Sequence, residues 1–109
     1  MSGSEAISTE ANSTILGDFG FALSWLKAGG RVRREGWRTS EEFIFLVAGS
    51  RFMVNRKPLL GIYSEGTEIT YCSHIDKRQA DGSVTPWAPS YAEMLAEDWE
   101  VVPESPRPL

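Results

Sequence analysis

The 109-residue sequence has one cysteine, Cys72, and one histidine, His74. A lone cysteine excludes an intrachain disulfide, and one Cys plus one His fall short of the roughly four N, S or O ligands that structural zinc takes. There is no G-x-S-x-G elbow, no phosphate loop ending in Gly-Lys-Ser/Thr and no G-x-G-x-x-G fingerprint. The usual settings for a serine nucleophile or a bound dinucleotide are therefore missing. Long apolar runs are missing too. The longest, Phe43 to Ala48, is far below the roughly 18 residues of a membrane helix. The first twenty residues show neither a cationic start nor an apolar stretch of signal-peptide length, so a cytoplasmic protein is expected. Positive charge is in deficit as well. The net charge of -4 argues against a dedicated DNA or RNA binder, which needs a basic face, though a local basic pocket remains compatible with it.

What is present is the balance of a globular protein, with 41% apolar and 24% charged residues. A chain of this length buries only about 60 to 65% of its unfolded surface, so its stability margin is thin and self-association would help it.

Along the chain, residues 1–14 are Ser, Glu, Ala, Thr and Asn with little to bury and read as a flexible leader. Phe19, Ala22, Leu23 and Leu26 then recur at helical spacing, with Asp18 placed to cap and Gly29-Gly30 to stop, which predicts a short amphipathic helix. Arg31 to Arg34 reads as a strand that turns at Glu35-Gly36 and pairs with a central, mostly buried strand, Phe43 to Val47. From Phe52 to Tyr63 a short β-like start gives way to a loop at Pro58 and Gly61. Glu68 to Cys72 and the segment from Ile75 onward read as strands, with Asp81-Gly82 as a hairpin turn. Ser90 and Glu93 form a capping box for a second short helix from Tyr91 to about Ala96, and Asp98 to Val102 alternates as a last strand. Pro103, Pro106 and Pro108 leave residues 103–109 as a loose tail. The expectation is one α+β domain over 15–102: a small antiparallel β-sheet with two short helices and no βαβ unit.

Candidates for catalysis are few. Cys72 and His74 would share a strand face, but an inert cysteine beside a surface histidine is the simpler account. Glu97, Asp98 and Glu100 could suggest acid and base work, but such runs are usually a solvated face. The informative feature is aromatic and basic residues together: Arg33, Arg34, Trp37 and Arg38 in one turn, and Arg51, Asn55, Arg56 and Lys57 in the later loop. Guanidinium groups grip phosphates bidentately and indoles offer a stacking face. Trp37 and Trp87 follow the turn residues Gly36 and Pro86, where a side chain can be presented to a ligand, although on the residues alone core or subunit packing is the better account. Trp25 and Trp99 are expected to be packing residues.

Four segments in order, FGFALSWLKAGGRVRREGW (Phe19 to Trp37), VNRKPLLGIYSEGTEITY (Val54 to Tyr71), ADGSVTPW (Ala80 to Trp87) and SYAEMLAEDW (Ser90 to Trp99), resemble a small phage and prophage family. It is the Thoeris anti-defence sponge family, second type. The resemblance covers about four fifths of the chain, and departs from the usual pattern in the long polar leader and in Phe21, where a glutamate is frequent.

The resemblance implies binding and sequestration of glycocyclic ADP-ribose without cleavage, by a homotetramer with pockets between subunits, and with no cofactor. It extends the ligand class to cyclic dinucleotides, which some members hold at separate sites. Carried to matching positions, it makes Trp37 and Trp87 the base-stacking candidates. Arg33, Arg34 and Arg56 are the candidates for phosphate oxygens, and Asn55 for a ribose or base edge. No catalytic or metal-binding residue is assigned. The rival readings are an interaction module that inhibits a host protein and a hydrolase that consumes the signal.

Overall fold

The computed structural model describes residues 15–104. The leader over 1–14 and the tail beyond Glu104 lie outside the described residues. Helix α1 spans Phe19–Lys27. It starts where the Asp18 carboxylate accepts from the Phe21 amide at 2.9 Å and ends before Gly29, whose φ of 93° suits a residue without a Cβ. Strand β1 (Val32–Arg34) leads into a 3-10 turn, Glu35–Trp37, followed by β2 (Phe43–Val47), β3 (Ser50–Met53), β4 (Glu68–Tyr71), β5 (His74–Arg78) and β6 (Val84–Pro86). Helix α2 (Tyr91–Leu95) opens on the complete Ser90/Glu93 capping box, and β7 (Trp99–Val101) ends the domain.

The α+β architecture is as expected. Five strands form one sheet in the order β6-β5-β2-β1-β7, every pairing antiparallel, with β2 at its centre. The β3–β4 hairpin is a separate two-stranded ribbon, where the sequence suggested a single sheet. Strand pairing is a non-local choice, so alternation within β3 and β4 could not say which neighbours they would take.

Register sorts the side chains onto two faces, because directly paired residues in antiparallel strands point the same way and successive ones alternate. Val32 pairs with Ile44 and Val101, Arg34 with Trp99, and Ile44 with Lys77. These residues face α1, where Ala22 and Leu26 join Val32, Ile44 and Trp99 in the fully buried core. The other face carries Arg33 opposite Glu100, and Phe43 opposite Arg78. Strand β2 is less buried than expected: only Ile44 is sealed, and Leu46 remains 38% exposed. Phe43 and Phe45 are half-buried on the face the helices leave uncovered, whereas Leu46 shares the face of Ile44 and is exposed toward the end of the strand.

Candidate functional site

Four aromatic residues gather on the helix face. Trp99 is fully buried at the centre. Around it stand Phe19, Trp37 and Trp87, with ring centroids 5.5, 5.4 and 6.1 Å away, the two tryptophans meeting it nearly at right angles. Such edge-to-face contacts suit the aromatic quadrupole. The Trp99 indole N–H donates to the Glu93 carbonyl at 2.9 Å, tying α2 to the group. Trp37 is carried by the 3-10 turn, and Trp87 is fixed by its amide bond to the Ile75 carbonyl at 2.9 Å. Both are half-buried, so part of each ring stays open. The Lys77 ammonium lies 4.1 Å from the Trp37 ring centroid and 2.8 Å from Glu42. That cation occupies part of the ring surface a base would use.

On the other face of the sheet lies a carboxylate clamp. Glu100 is sealed from solvent, and its oxygens accept from Arg33 Nε at 2.7 Å and from Arg38 Nε and Nη2 at 2.7 and 2.6 Å. Those bonds, with Arg38 the larger contributor, hold the Glu100 carboxyl below its ordinary pKa against the opposing effect of burial. Arg38 directly follows the Trp37 turn, so the clamp anchors that turn to β7. Arg34 is paired with Asp98, and its guanidinium stands 6.0 Å from the Trp99 ring.

The sequence-predicted candidates fall into three places. Trp37, Trp87 and Arg34 come together on the helix face. Arg33, one residue from Arg34, points to the opposite face because a strand alternates. Asn55 and Arg56 lie in the loop that follows β3, where a cavity of about 700 Å³ is bounded by Phe52, Asn55, Arg56, Lys57, Leu59 and Tyr71 among others. Within one chain, therefore, Arg34 alone of the three proposed phosphate ligands joins the tryptophans, and it is already paired with Asp98.

The acidic run is corrected as well. Glu100 is not part of a solvated face but the buried partner of two arginines, and Asp98 pairs with Arg34. Trp99 is a packing residue as expected, whereas Trp25 is 44% exposed. The sequence reading did not single out Lys77 or the Glu100 clamp. The available signal was Glu100 standing between the apolar Trp99 and Val101 in a short strand.

These features define a small antiparallel α+β domain with an aromatic cluster, half-buried at Trp37 and Trp87, beside the Arg34–Asp98 pair. A family description, the Thoeris anti-defense 2-like domain, matches residues 17–102. The protein named Thoeris anti-defense 2 from Bacillus phage SP01 is 34% identical over 84 residues, which is 77% of this chain and 92% of the phage protein. The chain belongs to the Thoeris anti-defense 2-like family.

Proposed function

We propose that the protein counters Thoeris defence by binding its cyclic nucleotide signal, glycocyclic ADP-ribose, and holding it intact. The observation that carries this reading is the pair of half-buried indoles, Trp37 and Trp87, set around Trp99 within a chain of an anti-defence family. Stacking on an indole face tolerates any base, and the nearby Arg34 guanidinium suits a phosphate oxygen. The tryptophan group and the Asn55–Arg56 cavity lie on separate sheets of one chain. A homotetramer with pockets between subunits is the arrangement that would let both touch one ligand. The same chemistry suits cyclic dinucleotides. The action belongs in the cytoplasm of the bacterial host, where the signal is made.

Sequestration works by mass action, so the protein must outbind the effector. Against a nanomolar effector that means about -12 kcal/mol or better. Excluding water around a stacked, charge-paired ligand is how such affinity would arise. The groups at the cluster are aromatic, cationic or ion-paired, which favours holding the ligand over cleaving it.

The test incubates purified protein with glycocyclic ADP-ribose or a cyclic dinucleotide, filters it, heats the retained fraction and identifies what is released by mass spectrometry. Intact nucleotide in stoichiometric amount is expected. A degraded product would instead make the protein an enzyme, and no retained nucleotide would leave inhibition of a host protein as the better reading.

A further inference from the structure

The sheet face turned away from α1 carries a second group of cations that the tryptophan cluster does not use. Arg31, Arg33 and Arg78 border a cavity of about 280 Å³ together with Glu41, Phe43 and Val102. An adjoining groove of about 510 Å³ shares Arg31, Phe43 and Arg78 and continues along Phe45 and Val84. Register accounts for this grouping: Phe43 pairs with Arg78, and Phe43 and Phe45 lie on the same face with ring centroids 6.0 Å apart. Arg31 sits over the Phe43 ring at 5.0 Å.

The charges here are unbalanced. Arg33 already shares Glu100 with Arg38. Arg31 donates to the Pro103 carbonyl at 3.0 Å, and Arg78 to the Glu41 and Gln79 carbonyls at 3.0 and 3.4 Å. Among the described residues neither forms a salt bridge with a carboxylate. Two acidic residues stand nearby. Asp81 feels the charge of Arg78, but its Oδ1 accepts from the Ser83 amide and hydroxyl at 2.9 and 2.7 Å. Glu41 borders the cavity, and its main chain is held at a φ of 62° while its carbonyl takes the Arg78 bond. Two half-buried guanidiniums that donate only to carbonyls retain N–H groups and positive charge, the combination that receives an anion. In a chain of net charge -4, such a concentration of arginine needs a local reason.

We propose that this cavity is an anion site for a nucleoside phosphate. The phosphate would be gripped by Arg31 and Arg78, and the base would lie along Phe45 and Val84 in the adjoining groove, since Arg31 already covers the Phe43 ring. The site is on the opposite face of the sheet from Trp37 and Trp87, and the proposal stands without the cyclic nucleotide reading given above. Arginine supplies bidentate donors to phosphate oxygens, and the Phe45 ring supplies a stacking wall that a bare inorganic anion would not use. Glu41 at the rim would oppose the anion and set an upper limit on affinity.

The test is calorimetric titration of the full-length protein with ADP, pyrophosphate and adenosine at two salt concentrations. The expected order is ADP tightest, pyrophosphate weaker and adenosine without measurable binding, with the ADP affinity falling as salt rises. Arg78→Met and Arg31→Met should each weaken ADP about tenfold or more. Glu41→Gln should tighten it several-fold, an effect that loss of folding cannot mimic. Trp87→Ala should leave ADP bound at this site. The proposal is overturned if the wild-type protein binds neither ADP nor pyrophosphate, or if ADP affinity is unchanged in folded Arg31→Met and Arg78→Met. It is also overturned if ADP binding disappears in folded Trp87→Ala, which would place the nucleotide at the tryptophan cluster.

Discussion

At the scale of single residues, three tryptophans in one cluster have different work. Trp99 is sealed at the centre of the core, so Trp99→Ala removes its packing and should cost about 3 to 5 kcal/mol, enough to unfold a marginal domain. Trp37 and Trp87 are half-buried beside it. Under the sequestration reading, Trp37→Ala and Trp87→Ala should each weaken retained nucleotide about tenfold or more, with phenylalanine restoring part of it. Filter retention measured beside a melting curve separates this from unfolding, and unchanged retention in both folded variants would remove the tryptophans from the site.

Glu100 makes a second residue-scale prediction. Replacing it with glutamine leaves Arg33 and Arg38 without their shared carboxylate, and breaking one partner of a buried pair costs about 3 kcal/mol. Urea denaturation measures this directly, and a variant as stable as the parent would show that the clamp is idle. The pH dependence has a definite sign. The carboxyl has a lower pKa folded than unfolded, so its contribution is fully present above the ordinary value of 4.5 and is lost as pH falls through the lower folded value. Glu42, lowered mainly by Lys77 and then by Ser40, acts in the same direction. Acid melts should therefore show the parent losing stability below about pH 4.5 and Glu100→Gln losing less over that interval.

At the scale of elements, local chemistry decides what a sequence reveals. The α1 start at Asp18, the Gly29 stop, the Ser90/Glu93 box and the Asp81-Gly82 turn were all legible, because each depends on residues within four positions of one another. The faces of the sheet were not legible to the same degree. Arg33 and Arg34 look like one basic patch in sequence but part company in a strand, and the ribbon whose loop carries Asn55 and Arg56 is set apart by pairings the local pattern does not encode. Glu100 was misread for the same reason, since its partners are more than sixty positions away. The legible devices should also be the separable ones. Ser90→Ala should cost about 1 kcal/mol by losing the bond to the Glu93 amide. Gly82→Ala should cost a comparable amount, because Gly82 holds a φ of 91°. In urea denaturation the double variant should show additive losses, as the two turns share no partner.

At the scale of the whole molecule, the described core is small, with six fully sealed apolar side chains. Large apolar residues remain outside it: Tyr91 and Leu95 on α2 are 77% and 75% exposed, and Ile62 on the loop between β3 and β4 is 71% exposed. A domain of this size gains most from burying such residues against copies of itself. The candidate residues also fall in separate places within one chain, so a pocket between subunits would solve both problems together. The expected result in sedimentation equilibrium is a tetramer, with a melting temperature that rises with protein concentration because folding and association are coupled. Leu95→Glu or Ile62→Glu should lower the molecular mass if that residue lies at a subunit contact, while a monomeric parent whose melting temperature ignores concentration would sink the assembly. A monomer that still retained nucleotide would be more informative still. It would show that the open parts of Trp37 and Trp87 suffice, and that Asn55 and Arg56 serve something other than the signal.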